Sequence, residues 1–384
     1  MTFDRIITGP WLTRAPTQAV CAALTAAGHR ALFVGGCVRN ALMGEPVADI
    51  DITTDARPET VLRLAEQAGL KPVPTGIEHG TVTVVSDGIP HEVTTFRRDV
   101  ETFGRRATVA FSDRLEEDAG RRDFTMNALY ATPEGRVIDP LGGLADLEAR
   151  RVRFVGEPRQ RIAEDYLRIL RFFRFHAWYG NPGDGLDPEG LAACAAAVDG
   201  VETLSRERIG HEMRRLLAAL DPAPSLASMQ MAGILGRILP GADAAALPLL
   251  VHLEQGAAPH WLRRLAALGG DEPETRLRLS RSEAAQLGRV VLAAREPAPP
   301  AETGYRLGSE EGLDVVLLRA ALTGMPPPEG WQAEVARGAR AHFPVNAQDL
   351  MPAFSGPALG RKLAELEARW VASDFTLTRA DLLG

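Results

Sequence analysis

Apolar and polar positions follow two different periods along this chain, alternating between them up to about residue 144 and keeping only the helical one beyond it. Residues 16–29 (PTQAVCAALTAAGH) repeat at helical spacing and close on Gly28; residues 58–69 do so again, with Pro58 in the first turn. Between them, residues 31–35 form an apolar run that predicts a short strand, and residues 37–44 predict a helix stopped by Gly44. DIDIT at 49–53 alternates strictly, which predicts a strand with its aspartates on one face and its isoleucines on the other. GTVTVVSD (80–87) and HEVTTFR (91–97) predict two strands joined by a glycine-containing turn at 88–90, and RVID (136–139) predicts another. Arg98 to Asp118 is polar and of mixed charge, the pattern of a mobile loop or a partly ordered insertion, and residues 122–130 return to helical spacing. From about residue 144 onward the pattern is helical throughout. Proline-rich breaks at 297–300 (PAPP) and 326–328 (PPP) are expected to separate helical subdomains. The pattern therefore predicts an α/β head followed by an all-α C-terminal region.

Composition changes this picture only at a few points. With 384 residues and 45% hydrophobic content, the chain can bury a large core and form two or more domains. A net charge of −7 gives no bulk attraction for a polyanion, so a nucleic-acid partner would have to be met by local patches. Two lysines, Lys71 and Lys362, stand against 41 arginines, and arginine brings planar bidentate donors wherever it enters a site. Cys21, Cys37 and Cys194 are odd in number and widely spaced, which suggests neither a disulfide framework nor a zinc cluster and fits a reducing, cytoplasmic compartment. No membrane association is expected: the N-terminal stretch has no apolar signal-type core and no run is long enough to span a bilayer. There is no GxxxxGK[ST] phosphate loop and no adjacent His-Asp pair among the eight histidines.

Candidate chemistry lies where a glycine turn meets the alternating aspartates. On a strand, Asp49 and Asp51 project to the same face, where two carboxylates repel unless a cation sits between them. Oxygen-only ligands favour Mg²⁺ or Mn²⁺. Gly35 and Gly36 leave room for phosphates to approach the backbone, the following helix offers N–H groups to an anion, and Arg39 lies one turn into it. The bland alternative is a surface strand with two solvated aspartates. A second stretch, EDYLRILRFFRF (164–175), places Asp165, Arg168, Arg171 and Arg174 in i+3 steps down one half of a helix, with Ile169, Leu170 and Phe173 opposite. Its bland alternative is a buried helix with stem-packed arginines.

Six ordered motifs carry a resemblance. GGCVRN with DID, PTGIEHGTVTVV, EVTTFR, RRDFTMNALY, IDPLGGLADL and EDYLRILRFFRF resemble, in order and spacing, the class II tRNA nucleotidyltransferase and bacterial poly(A) polymerase family of the polymerase-β-like superfamily. The match is strong over about residues 30–215. It implies a mixed-sheet nucleotidyltransferase head over 1–143, a helical neck for base recognition over 144–218, and a helical body and tail for RNA binding over 219–384. The implied reaction is template-independent addition of CCA to a tRNA 3′ end from CTP and ATP, with Mg²⁺ and release of pyrophosphate. Poly(A) addition, CC-only or A-only addition, and a non-catalytic RNA-binding protein remain as alternatives, and the oligomeric state stays open.

The resemblance also implies roles. Asp49 and Asp51 would bind the catalytic metal, with Glu92 a further carboxylate on a neighbouring strand. Gly36 and Arg39 would hold the triphosphate. Arg122, Asp123 and Asn127 would bind ribose and phosphates, and Asp123 and Asn127 are i and i+4 if their segment is helical. Asp165 and Arg168 would read the base, Arg171 and Arg174 would support the site, and Glu164 would orient Arg168 or cap the helix. Cytosine and adenine both show an amino donor beside a ring-nitrogen acceptor, which a carboxylate and a guanidinium match; uracil and guanine mismatch both contacts. The loop at 98–118 would help switch from C to A. Basic helix 206–217 and Trp261 with Arg263 and Arg264 are candidate RNA contacts, and Arg121 reads as a solvated loop arginine. Two positions depart from the family pattern: Asn40 stands where an aspartate is usual after GGxVR, and Tyr166 where a proline is usual.

Overall fold

The computed structural model describes residues 2–103, 106–254 and 257–384. They divide into two compact units, one of residues 1–216 with 224–238 and one of residues 217–223 with 239–384.

Among the described residues the first unit carries all ten strands: β1 (Thr2–Ile6), β2 (Leu32–Val34), β3 (Asp51–Thr54), β4 (Lys71–Gly76), β5 (Thr81–Ser86), β6 (Ile89–Thr95), β7 (Arg97–Phe103), β8 (Arg106–Phe111), β9 (Tyr130–Ala131) and β10 (Arg136–Ile138). Eight form one mixed sheet in the order β1-β10-β9-β2-β3-β6-β5-β4. Strands β3 and β6 run parallel, with Asp51 opposite Glu92, and the neighbouring pairs on either side are antiparallel. The mixed-sheet head and mainly helical remainder agree with the expectation from sequence. Three strands of this sheet escaped it. β9 has two residues, β1 lies at the sheet edge, and β4 contains Pro72 and Pro74, which an edge strand tolerates but which hide it in the sequence.

Four local expectations are corrected. The stretch 98–118 is not a loop: β7 and β8 pair as a separate two-stranded sheet and Leu115–Gly120 is helical, while Gly104 and Arg105 lie outside the described residues. Its few β-branched residues, Val100, Thr102, Thr108 and Val109, stand among charges that hide the strand pattern. Residues 122–130 are not a helix. A 3-10 turn at Thr125–Asn127 leads directly into β9, because Phe124 bridges to Phe154 and Thr125 N–H donates to the Arg153 carbonyl at 2.9 Å. Asp49 precedes the strand and is exposed. β2 pairs with β3 only through Leu32 and Phe33, after which Gly35 turns the chain away at φ 71° and leaves Ile50 and Asp49 without a partner. Finally, the proline breaks join helices within the second unit (Arg281–Arg295, Pro300–Thr323 and Trp331–Ala339) and do not divide it.

Aromatic packing backs the helix Leu167–Tyr179. Phe124, Phe154, Phe172 and Phe175 form a buried aromatic cluster with centroids 4.8 to 6.3 Å apart, to which the helix Leu167–Tyr179 contributes the last two. Tyr166 lies over Gly200, where any added Cβ would come within 2.0 Å of its ring. The glycine therefore accommodates the departure from proline. The second unit closes on its own aromatic cluster of Tyr305, Phe343, Trp370 and Phe375. Among the described residues, no helix is long and apolar enough to cross a membrane.

Candidate active site

The chain enters the site along β2. Gly35, at a positive φ that L side chains rarely adopt, reverses it into the helix Gly36–Met43, which ends at left-handed Gly44. This turn presents Arg39 to a cavity of about 600 Å³ that is also lined by Gly35, Gly36 and Asp51. Arg39 Nη1 donates to Asn127 Oδ1 at 2.5 Å and Nη2 to the Tyr179 hydroxyl at 2.8 Å.

Next to it, Asp51 begins β3 beside Glu92 of β6. Burial pushes the Asp51 carboxyl above its ordinary range; Glu92 adds to this, Arg122 opposes it, and Asp49 adds again. Among the described residues no side chain forms an ion pair or hydrogen bond with the Asp51 carboxylate. Hard-oxygen groups that repel one another in this way are the donor set a divalent metal relieves, so these residues fit one. No three acidic, histidine or cysteine side chains form a ready-made cage among the described residues.

The third wall is the segment Asp118–Tyr130. Burial alone would raise Asp118, but Arg122 and Arg121 with the Tyr130 hydroxyl hold it at about 2. Asp123 is likewise held at about 2 against burial, by Arg171, Asn127 and the Phe124 N–H. Although the segment is not a helix, Asn127 Nδ2 still donates to Asp123 Oδ1 at 3.0 Å, across the 3-10 turn. Arg171 Nε donates to Asp123 Oδ2 at 2.7 Å.

The fourth wall is the helix pair Pro158–Glu164 and Leu167–Tyr179. Asp165 lies in the extended link between them, outside the helix expected from the spacing. Its Oδ1 accepts from Leu167 N–H at 3.1 Å and its Oδ2 from Arg208 Nη2 at 2.6 Å. Arg168 is fixed on three sides, donating to Glu164 Oε2 at 2.5 Å and to the Arg161 and Arg121 carbonyls at 2.9 Å each. Arg174 is buried and donates to Glu212 Oε2 at 2.5 Å.

Eleven of the residues singled out from sequence thus line one cavity: Gly35, Gly36, Arg39, Asp51, Arg122, Asp123, Asn127, Asp165, Arg168, Arg171 and Arg174. Asp49, Glu92 and Glu164 do not line it. Arg97, Arg121, Tyr179, Arg208 and Arg215 do, and sequence reasoning had given none of them a place there. Arg121 is not a solvated loop residue: its Nη2 lies 2.6 Å from Asp118 Oδ1. Arg208 and Arg215 belong to the helix Arg206–Leu217, whose basic face was the available signal. Arg263 and Arg264 are corrected in the other direction. Both are buried in the second unit and paired with Glu254, Arg263 also with Asp314, so they form a structural ion network there and offer no surface to RNA.

Comparison with known proteins gives the same picture. A family model described as "Poly A polymerase head domain" matches residues 31–153, and one described as "Probable RNA and SrmB- binding site of polymerase A" matches residues 185–246. A CCA-adding enzyme of Geobacillus stearothermophilus is 35% identical over 371 residues, covering 90% of this chain and 89% of that protein. The mitochondrial CCA tRNA nucleotidyltransferase 1 of Mus musculus is 31% identical over 383 residues, covering 92% and 86%. Among solved structures, the Bacillus stearothermophilus CCA-adding enzyme in complex with CTP superposes with a TM-score of 0.72 at 31% identity, covering 94% of each chain. Glycine turn, strand carboxylate, arginine-lined cavity and end-to-end similarity agree, and the chain belongs to the CCA-adding tRNA nucleotidyltransferase and bacterial poly(A) polymerase family.

Proposed function

We propose that this protein adds CCA to tRNA 3′ ends from CTP and ATP without a nucleic-acid template. The observation that carries the reading is one cavity in which a phosphate-binding turn (Gly36, Arg39), a strand carboxylate (Asp51) and an acid–arginine pair on the helix link (Asp165, Arg168) converge. The 3′-hydroxyl of the RNA attacks the α-phosphorus of the bound nucleotide, the bond to the β-phosphate oxygen breaks, and pyrophosphate leaves. Mg²⁺ bound by Asp51 and Asp49, with Glu92 nearby, would lower the hydroxyl's pKa and offset developing charge. The chain's residues do the rest. Gly36 and Arg39 take the triphosphate. Arg122, Asp123 and Asn127 take the ribose and phosphates, and Arg171 and Arg174 hold the site's shape and positive field. Asp165 accepts from the amino group of cytosine or adenine while Arg168 donates to the adjacent ring nitrogen. Their orientation is supported by Arg208 on one and Glu164 on the other.

In this reading residues 1–143 are the catalytic head and 144–218 the base-reading neck. Residues 219–384 bind RNA, and the β7–β8 hairpin, with Arg97 at the cavity, takes part in the change from C to A. Three buried thiols without disulfides support a reducing, cytoplasmic setting. The test is incorporation with purified protein and Mg²⁺ on tRNA transcripts ending before CCA, after the first C and after the second, each with single NTPs and with CTP plus ATP. Two C additions, then one A, then arrest is the expected result. Because the matching head model is described for poly(A) polymerase, the second reading is poly(A) synthesis, and long adenylate tails on any RNA end would establish it instead.

A further inference from the structure

We propose that Tyr179 is a positioning residue for the triphosphate-binding arginine, its ring and hydroxyl holding the Arg39 guanidinium in place without neutralising it. The inference rests on the nucleotidyltransferase reading above. Arg39 is 6% exposed and faces the cavity. Its described polar partners are all neutral: Asn127 Oδ1, the Tyr179 hydroxyl, and Asn40 Oδ1, which accepts from Nε at 3.2 Å and from Nη2 at 2.8 Å. The guanidinium carbon lies 3.8 Å from the Tyr179 ring centroid and 5.3 Å from that of Phe175.

Other arginines at the cavity are held differently. Arg171 is paired with Asp123, Arg174 with Glu212, Arg168 with Glu164, Arg208 with Asp165, and Arg121 and Arg122 with Asp118. Among the described residues Arg39 forms no ion pair. A carboxylate partner would compete with an incoming phosphate for the same N–H groups, whereas an aromatic face attracts a cation and carries no net charge. Burial lowers the pKa of Arg39, yet a guanidinium stays protonated. The result is a buried, charged group whose solvation is completed by an arriving polyanion. Asn40 fits this arrangement. Where an aspartate would supply a counter-charge, the amide accepts from Arg39 and turns its own Nδ2 to the Pro46 carbonyl at 2.9 Å. Tyr179 then supplies the hold that a counter-charge would have given.

The test is Tyr179→Leu in the full chain with Mg²⁺. KM for CTP and for ATP is expected to rise by a common factor of about ten, since the two share the triphosphate. In the same variant kcat changes by less than about twofold. The dissociation constant of inorganic tripolyphosphate, measured by calorimetry, rises by the same factor as KM. Tyr179→Phe keeps the ring and gives a rise of about threefold. Adding Asn40→Asp to Tyr179→Leu places a carboxylate in competition with phosphate for the same guanidinium N–H groups and recovers none of the lost affinity. A lower kcat or lower thermal stability with unchanged KM and unchanged tripolyphosphate binding overturns the inference, and so does recovery of tripolyphosphate affinity on adding Asn40→Asp. If Tyr179→Leu does not fold, Tyr179→Phe carries the test, and wild-type tripolyphosphate affinity in it overturns the inference. A wild-type protein that binds tripolyphosphate but incorporates neither CTP nor ATP refutes the proposed reaction and leaves the comparison of variants intact.

Discussion

Asp51 and Asp123 line the same cavity and are both largely withdrawn from water, yet their surroundings push them in opposite directions. Asp123 is saturated by Arg171, Asn127 and a backbone N–H, and its carboxyl is held at about 2 despite burial. Asp51 faces burial and Glu92 with only Arg122 in opposition, and its carboxyl is raised. Asp123 therefore meets a nucleotide with its charge already answered, whereas Asp51 carries the uncompensated carboxylate that the proposed metal role calls for. Asp51→Ala is therefore expected to lower nucleotide incorporation by at least about a thousandfold while leaving the fold intact, checked by single-turnover incorporation and by thermal unfolding. Asp165→Asn tests base reading. The amide presents N–H donors that a carboxylate lacks and weakens the pairing with Arg208. CTP use is expected to fall about a hundredfold relative to UTP, measured as the ratio of kcat/KM values.

At the scale of elements, the helix Leu167–Tyr179 is held between an aromatic cluster on one side and ion pairs on the other. Arg174, buried and with its guanidinium 4.6 Å from the Phe175 ring centroid, depends on Glu212 of the helix Arg206–Leu217 for its counter-charge. Removing that partner leaves a buried cation uncompensated. Glu212→Ala is expected to destabilise the first unit by about 3–5 kcal/mol, read from denaturant unfolding, whereas Glu212→Gln retains the hydrogen bond and costs less. The elements themselves were unequally legible in sequence. Helices with one apolar stripe and the β5–β6 pair could be read from period alone. The β7–β8 hairpin and the turn at Thr125–Asn127 could not, since charges obscure the alternation of the first and tertiary contacts to Phe154 and Arg153 override the helical spacing of the second.

For the whole molecule, the buried titratable groups predict how stability varies with pH. His91 and His176 are buried, and burial lowers the pKa of both. The unfolded chain then binds protons that the folded chain excludes, so their contribution is complete above the unfolded value of about 6.5 and is lost as pH falls below it. Asp118 and Asp123, lowered from 3.8 to about 2, contribute above their unfolded value and lose that contribution between about pH 4 and pH 2. Thermal unfolding followed against pH is expected to show two acid steps, with the lower step worth roughly 2 kcal/mol per aspartate.

By itself the sequence determined the order of elements, the glycine turn, the spacing of carboxylates and arginines, and through six motifs the family, because these are local patterns with fixed periods. The tertiary structure alone decided which charges answer which. It placed Asp49 outside the strand, drew Arg121, Arg208 and Arg215 to the cavity, buried Arg263 and Arg264 in ion pairs, and put Tyr179 against Arg39, 140 positions away. Such pairings depend on distances between segments remote in the chain, and an arginine's sequence neighbours do not reveal whether its partner is a carboxylate, an aromatic face or a substrate still to arrive.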